Sequence, residues 1–307
     1  MHNPHHPNAP PMRNGVGPSC VALPHSGFGT MLEFLAKRLP TVGPDVWRQR
    51  MADGDVLDEH GVVLTPGRCF EPGLRLYYYR DLPDEPVLPF EEKVLYQDAH
   101  LLVADKPHFM PVTPSGQYLQ STLLVRLRRR LDLPQLAPVH RIDRDTAGLV
   151  LFSVQPSTRG AYHALFRDRS ITKTYGAVAP WRRELEFPMA RQSRLEEGTP
   201  FFRTQEVAGP ANSLTHIDVE EVQGAWARYR LNPVTGKRHQ LRVHMAALGL
   251  PLRNDPFYPD VKDVPEGDYS RPLQLVAQQL AFTDPLSGAL HQFESTQQLL
   301  PLPLSVA

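Results

Sequence analysis

Five ionisable side chains fall within six consecutive positions of the segment PVHRIDRDTAGLVLFS, Pro138 to Ser153: His140, Arg141, Asp143, Arg144 and Asp145. A carboxylate set among cations suits a nucleophile or a general base held in its ionised form. The segment runs on through Gly148 into Leu149, Val150, Leu151 and Phe152. That run lacks period-two alternation and reads as a strand buried on both faces, with the charged cluster mounted at the rim of a sheet. Taken alone, the cluster reads equally well as a solvated turn whose charges pair locally.

Two other segments carry residues that fit the same chemistry. Tyr175 lies on a strand from Thr174 to Val178, which follows a helix with Ala161, Leu165 and Phe166 on its apolar side and a basic turn of Arg167, Arg169 and Lys173. Farther on, Trp226 to Leu231 alternates as a strand, Pro233 to Gly236 makes a turn, and Lys237 to Leu248 reads as a helix stopped by Gly249 and Pro251. Arg238 and Arg242 are four residues apart, so the helix is expected to present both guanidinium groups on one face to a carboxylate partner. His239 and His244 are five apart and point to different sides, with no acidic residue where a metalloprotease motif needs one, which argues against a metal site. There is no Ser-His-Asp pattern and no phosphate-cradling glycine loop. What remains is an acid (Asp143), a tyrosine (Tyr175) and an arginine (Arg242) from three separated elements.

The chain that must bring these together has 307 residues and 41% hydrophobic composition, enough for a large core and roughly two domains. Lys plus Arg and Asp plus Glu number 33 each, so any basic surface is local. Cys20 and Cys69 have no metal or disulfide spacing, and no run approaches the roughly 20 apolar residues of a membrane span; both fit a cytoplasmic setting away from any membrane. Residues 1–24, rich in Pro, Asn, Gly and His, read as a disordered leader. Residues 25–82 read as a small α+β module, 83–89 as a proline-stiffened linker, and 90–307 as the main domain. In the main domain, Val94 to Tyr96 and Leu101 to Ala104 form a hairpin. Ser121 caps a helix that carries Arg126, Arg128, Arg129 and Arg130, four arginines in five positions that read first as a solvated face. Residues 181–224 read as irregular loops and edge strands, and Leu273 to Phe282 as closing strands. An α+β domain with one large sheet accounts for the pattern.

Four motifs carry a resemblance. HRIDRDTAG resembles the HRLDRxTSG motif of the RluA branch of pseudouridine synthases, KTYGAV its KxYxA strand, GKRHQLRVHMAALGLPLRND its GRTHQIRVHLAxxGxPIxGD segment, and ADKPHFMPVTP its NKPxGxxVxP opening. They occur in the family's order across residues 90–258. Residues 25–82 resemble the S4-type RNA-binding module that precedes some RNA-modifying enzymes. The resemblance implies a pseudouridine synthase fold, with a large mixed, mainly antiparallel central sheet flanked by helices and loops. It also implies isomerisation of uridine within ribosomal RNA, transfer RNA or both, by a monomer using neither metal nor cofactor.

By motif position the resemblance makes Asp143 the catalytic aspartate, Arg242 its partner, and Tyr175 the residue packed on the base and helping to take up the ring proton. Arg141 would enter the space left by the flipped uridine, with His140, Arg144, Lys173, Arg238 and His239 around RNA and base. Arg126, Arg128, Arg129, Arg130, Arg167 and Arg169 become RNA-backbone contacts. Ala147 for serine, Lys237-Arg238 for Arg-Thr, and Arg253-Asn254 before Asp255 depart from the family pattern without removing the three central residues. Two other readings stay open: an RNA-binding or ribosome-assembly protein with incidental catalysis, and a hydrolase releasing uracil or ribose.

Overall fold

The computed structural model describes residues 9–25, 27–82 and 84–303. The chain divides into two compact units, one drawn from Met1–Glu85 with Pro114–Gln120 and the other from Pro86–Thr113 with Ser121–Ala307.

The first unit contains β1 (Ser19–Ala22), α1 (Met31–Arg38), α2 (Pro44–Ala52), β2 (Val56–Asp58) and β3 (Arg75–Tyr78). Its strands form an antiparallel sheet in the order β1-β3-β2. Helix α1 starts where it does because Thr30 Oγ1 accepts the Glu33 amide at 3.2 Å while Glu33 accepts the Gly29 amide at 2.9 Å. Met31, Phe34, Leu35, Trp47 and Met51 bury the faces of the two helices. Strand β1 lies inside the stretch expected to be a disordered leader. Its four residues pair with β3, a backbone contribution that composition does not register. Residues 1–8 of that expectation lie outside the described residues.

The second unit is built on β4 (Lys93–Gln97), β5 (Leu101–Lys106), α3 (Leu123–Leu131), β6 (Ala137–Pro138), β7 (Ala147–Ser153), α4 (Arg159–Arg167) and β8 (Thr172–Pro180). It continues through β9 (Met189–Glu197), β10 (Thr204–Val207), β11 (Ser213–Gln223), β12 (Trp226–Pro233), α5 (Gln240–Ala247), β13 (Leu275–Thr283) and β14 (Leu290–Glu294). Its strands form one sheet in the order β10-β9-β11-β12-β8-β13-β7-β5-β4, with β14 on β13 and β6 on β7. The β13–β7 pair is parallel and every other pair in this sheet is antiparallel, so the expected mixed, mainly antiparallel α+β sheet is present.

Strand β7 is buried at all seven positions, as its unbroken apolar run requires. Gly148, its second residue, has φ +111°, and a Cβ there would stand 2.2 Å from the Ala277 carbonyl oxygen of the parallel partner. Only glycine permits that approach, and it fixes where the charged segment ahead of β7 sits against β13.

Residues 181–224 are far more regular than expected, holding β9, β10 and the eleven-residue β11. The signal was masked because the buried positions of β11 include Ser213 and Thr215 as well as Ile217. Those hydroxyls serve His244 of α5: Ser213 Oγ lies 2.9 Å and Ser193 Oγ 3.1 Å from Nε2, and Thr215 Oγ1 lies 2.9 Å from Nδ1. Helix α5 is buried from Gln240 through Met245, and Leu241 and Met245 pack with Ala177, Ile217, Tyr229, Leu231 and Leu275 beneath the sheet. The polar pins to His244 add direction to that packing. The helix begins at Gln240, three residues later than expected, because His239 takes a left-handed φ of +55° at its N-cap. Helix α3 likewise has Thr122 at its N-cap in place of Ser121.

Burial drives the His244 pKa down to about 4, so the folded chain refuses a proton that the unfolded chain accepts below about pH 6.5. Its contribution to stability is therefore complete above pH 6.5 and is lost as pH falls toward 4. Urea unfolding of the wild type should weaken more between pH 7 and pH 5 than that of His244→Gln, by at most about 1.4 kcal/mol per pH unit.

Candidate active site

Arg242, on α5, is buried at 1% relative exposure. Its Nε donates to Asp255 Oδ2 at 2.8 Å and its Nη2 to Asp255 Oδ1 at 2.6 Å, a bidentate pair with a carboxylate that is itself fully buried. Asp255 also accepts the backbone amides of Phe257 and Tyr258 at 2.8 and 3.1 Å, and the guanidinium lies 5.0 and 5.3 Å from the centroids of those two rings. Burial alone would push the Arg242 pKa down. The hydrogen bonds and charge of Asp255, with Asp143 and Asp145 beyond, outweigh it and hold the group above its ordinary value. The cation is permanent and fixed in orientation, and its third nitrogen, Nη1, points at Asp143 Oδ2 from 3.4 Å.

Asp143 sits on the loop between β6 and β7 with its side chain 25% exposed. His239 Nε2 lies 3.9 Å from the other Asp143 oxygen, Oδ1. His239 Nδ1 meets the Tyr258 hydroxyl at 2.9 Å, and that hydroxyl accepts the Thr204 amide at 2.7 Å. Burial keeps His239 below its ordinary pKa against the pull of Asp143, so at neutral pH it is an uncharged ring. Asp143, His239 and Arg242 line an open cleft together with Arg141, Lys173, Tyr175, Thr235 and Leu275. Burial and then the Asp143 charge raise the Tyr175 pKa, holding it as a neutral phenol. That state suits packing or donating a hydrogen bond and argues against the expectation that it takes up the ring proton as a ready base. Lys173 donates to the Thr235 carbonyl at 3.2 Å, and burial, with Arg169 nearby, lowers its pKa to about 8. Arg141 is exposed at the cleft mouth and has no hydrogen-bond or ion-pair partner among the described residues.

Two residues that the sequence did not single out hold the Asp143 loop from behind. Lys106, fully buried at the end of β5, donates to the carbonyls of Pro107 at 2.9 Å and Arg144 at 3.0 Å. Burial lowers its pKa to about 7, with Asp145 and Asp143 resisting. His108 Nδ1 lies 2.7 Å from the Asp145 carbonyl. The run KPH in the ADKPHFMPVTP motif was the available signal; a lysine that ends a strand of four apolar residues and Asp105 has to find carbonyls if it is buried. Asp255 was visible only as the acid closing the third motif.

Several residues expected at RNA are used by the fold. His140 Nε2 accepts the Leu151 amide at 3.1 Å, its ring stacks on Phe166, and burial lowers its pKa to about 3. Arg144 pairs with Asp145 at 2.9 Å. Arg238 precedes α5 and does not share a helical face with Arg242; it donates to the carbonyls of Phe201 and Arg203. On α3, Arg126 and Arg130 converge on the buried Glu92 at 3.4 and 2.9 Å, and Arg128 donates to the Leu136 carbonyl at 3.0 and 2.8 Å. Arg167 pairs with Asp168 at 2.8 Å. Arg129 and Arg169 remain exposed, the latter at φ +57°.

The family model for RNA pseudouridylate synthases matches residues 100–247, which span the Asp143 loop, Tyr175 and Arg242. The dual-specificity RNA pseudouridine synthase RluA of Salmonella typhi is 32% identical over 215 residues, covering 67% of this chain and 91% of that protein. The chain belongs to the RluA-type RNA pseudouridine synthases. An uncharacterized RNA pseudouridine synthase of Synechocystis sp. is 28% identical over 233 residues, covering 74% of this chain and 79% of that protein. Human RNA pseudouridylate synthase domain containing 1 shares the fold, with a TM-score of 0.56 and 23% identity over 69% of this chain and 86% of that one. As a pseudouridine synthase the enzyme is an isomerase acting on uridine in RNA, and no helix among the described residues is long and apolar enough to cross a membrane.

Removing Asp255 would strip the buried guanidinium of its bidentate partner and leave it only the 3.4 Å contact with the partly solvated Asp143. We expect Asp255→Ala to lose about 3–5 kcal/mol in denaturant unfolding, more than the loss from Asp143→Ala, whose carboxylate is partly solvated.

Proposed function

We propose that the enzyme converts specific uridines of ribosomal RNA, transfer RNA or both to pseudouridine, with Asp143 as the catalytic carboxylate. The observation that carries this reading is the convergence of Asp143, Tyr175 and Arg242 on one cleft, with the Asp143 carboxylate 3.4 Å from a guanidinium locked by Asp255. The target uridine leaves its stack to reach the carboxylate, and Arg141 fills the vacated space, a role supported by its exposure at the cleft and its lack of a partner among the described residues.

In the reaction, the bond between the ribose anomeric carbon and the ring nitrogen breaks, the uracil turns, and the anomeric carbon joins the ring carbon, which then gives up its proton. Asp143 acts at the sugar, where an ionised carboxylate traps or stabilises an electron-poor centre. Tyr175, as a neutral phenol, packs against the uracil while it is detached. The reading of the chain as an RNA-binding protein with incidental catalysis makes the carboxylate dispensable, and no feature of the cleft favours it.

Pseudouridine mapping of RNA from cells lacking the enzyme, after incubation with purified protein, tests the assignment. Wild type should restore modification at discrete uridines, and Asp143→Ala should lower the rate by about 10³-fold or more with RNA binding retained. Wild-type modification by the variant would remove Asp143 from the reaction. Release of free uracil would favour a hydrolase.

A further inference from the structure

The β9–β10 hairpin ends in the sequence GTPFFR, Gly198 to Arg203, and its backbone is tightly fixed. The Gly198 amide donates to the Arg203 carbonyl at 3.1 Å and the Arg203 amide to the Pro200 carbonyl at 2.8 Å. From outside the hairpin, Arg238 donates to the carbonyls of Phe201 and Arg203, and to Thr204 Oγ1 at 3.3 Å. The Arg203 guanidinium lies 4.9 Å from the Tyr258 ring centroid and donates to the Pro259 carbonyl.

On this fixed loop Phe201 is 73% exposed, the one exposed Phe, Tyr or Trp among the described residues. Its neighbour Phe202 turns inward, 5.2 Å from Phe257. Phe257 in turn stacks on His239 at 5.9 Å and lies against the Arg242 guanidinium. A chain of aromatic contacts therefore runs from the rim to the groups beside Asp143. A phenylalanine needed only for packing would be turned inward as Phe202 is; two arginines instead hold the loop with this ring in water.

We propose that Phe201 is a stacking platform for a nucleobase of the substrate RNA close to the target uridine. The proposal rests on the RNA reading above and adds a contact that selects which uridine enters the cleft. An aromatic face stacks on an unpaired base, and the two cations that hold its loop, Arg203 and Arg238, suit the flanking phosphates. Because the loop is already ordered, little conformational freedom is lost when the base arrives.

The test uses the full chain and a short synthetic RNA spanning a mapped uridine, with 2-aminopurine placed in turn at each neighbouring nucleotide. Phe201→Ala should raise KM about tenfold, with turnover at saturating RNA retained and the melting temperature unmoved, and Phe201→Trp should restore KM. One labelled position should lose fluorescence on binding wild type and keep it with Phe201→Ala. An unchanged KM in the alanine variant, a tryptophan variant no better than alanine, or no quenched position would overturn the proposal. Such a result would leave the Asp143 assignment standing, since wild-type modification of the same RNA tests that separately.

Discussion

The site hangs on one buried cation. Arg242 has its Nε and Nη2 bound to Asp255 and only Nη1 left to reach Asp143, so the bidentate pair sets both the charge and the aim of what faces the carboxylate. A buried ion pair rarely adds much net stability, because desolvating both charges offsets their attraction. Its value here is positional. With Asp255 braced by two backbone amides and two rings flanking the guanidinium, Arg242 has no alternative orientation of comparable energy. Helix α5 transmits that constraint to the sheet through Leu241 and Met245 on its apolar contacts and through His244 on its polar ones.

The Asp143 loop is fixed independently. Gly148 sets the close parallel approach of β7 to β13, and Lys106 and His108 tie the carbonyls of Arg144 and Asp145 from the side away from the cleft. Two separately anchored pieces of backbone thus meet at a 3.4 Å contact. If Asp143 acts as proposed, pre-positioning of this kind has the carboxylate in place before the substrate arrives, whereas one that had to be gathered into place would lose part of its effect.

Much of this was legible in the sequence because the relevant signals are local. The apolar run of β7, the hairpin of β4 and β5, and the paired appearance of acid, tyrosine and arginine motifs all depend on neighbours along the chain. What was not legible depends on partners far away. The arginines of α3 read as a basic patch, yet Arg126 and Arg130 serve Glu92, more than thirty residues earlier. Arg238 looked like a second guanidinium on the face of Arg242 until the left-handed turn at His239 moved the helix start past it. Strands β9 and β11 were missed because hydroxyls, not methyls, fill part of their inner face, and hydrophobic periodicity has no means of marking a buried serine that serves a buried histidine.

The central claim is that Asp143 and Arg242 act as one unit, and a double-mutant cycle on pseudouridine formation tests it most directly. Asp143→Asn and Arg242→Met should each lower kcat/KM by about 10² or more, and the double variant should be scarcely worse than the poorer single. Losses that multiply, so that each residue contributes the same with or without the other, would contradict the account.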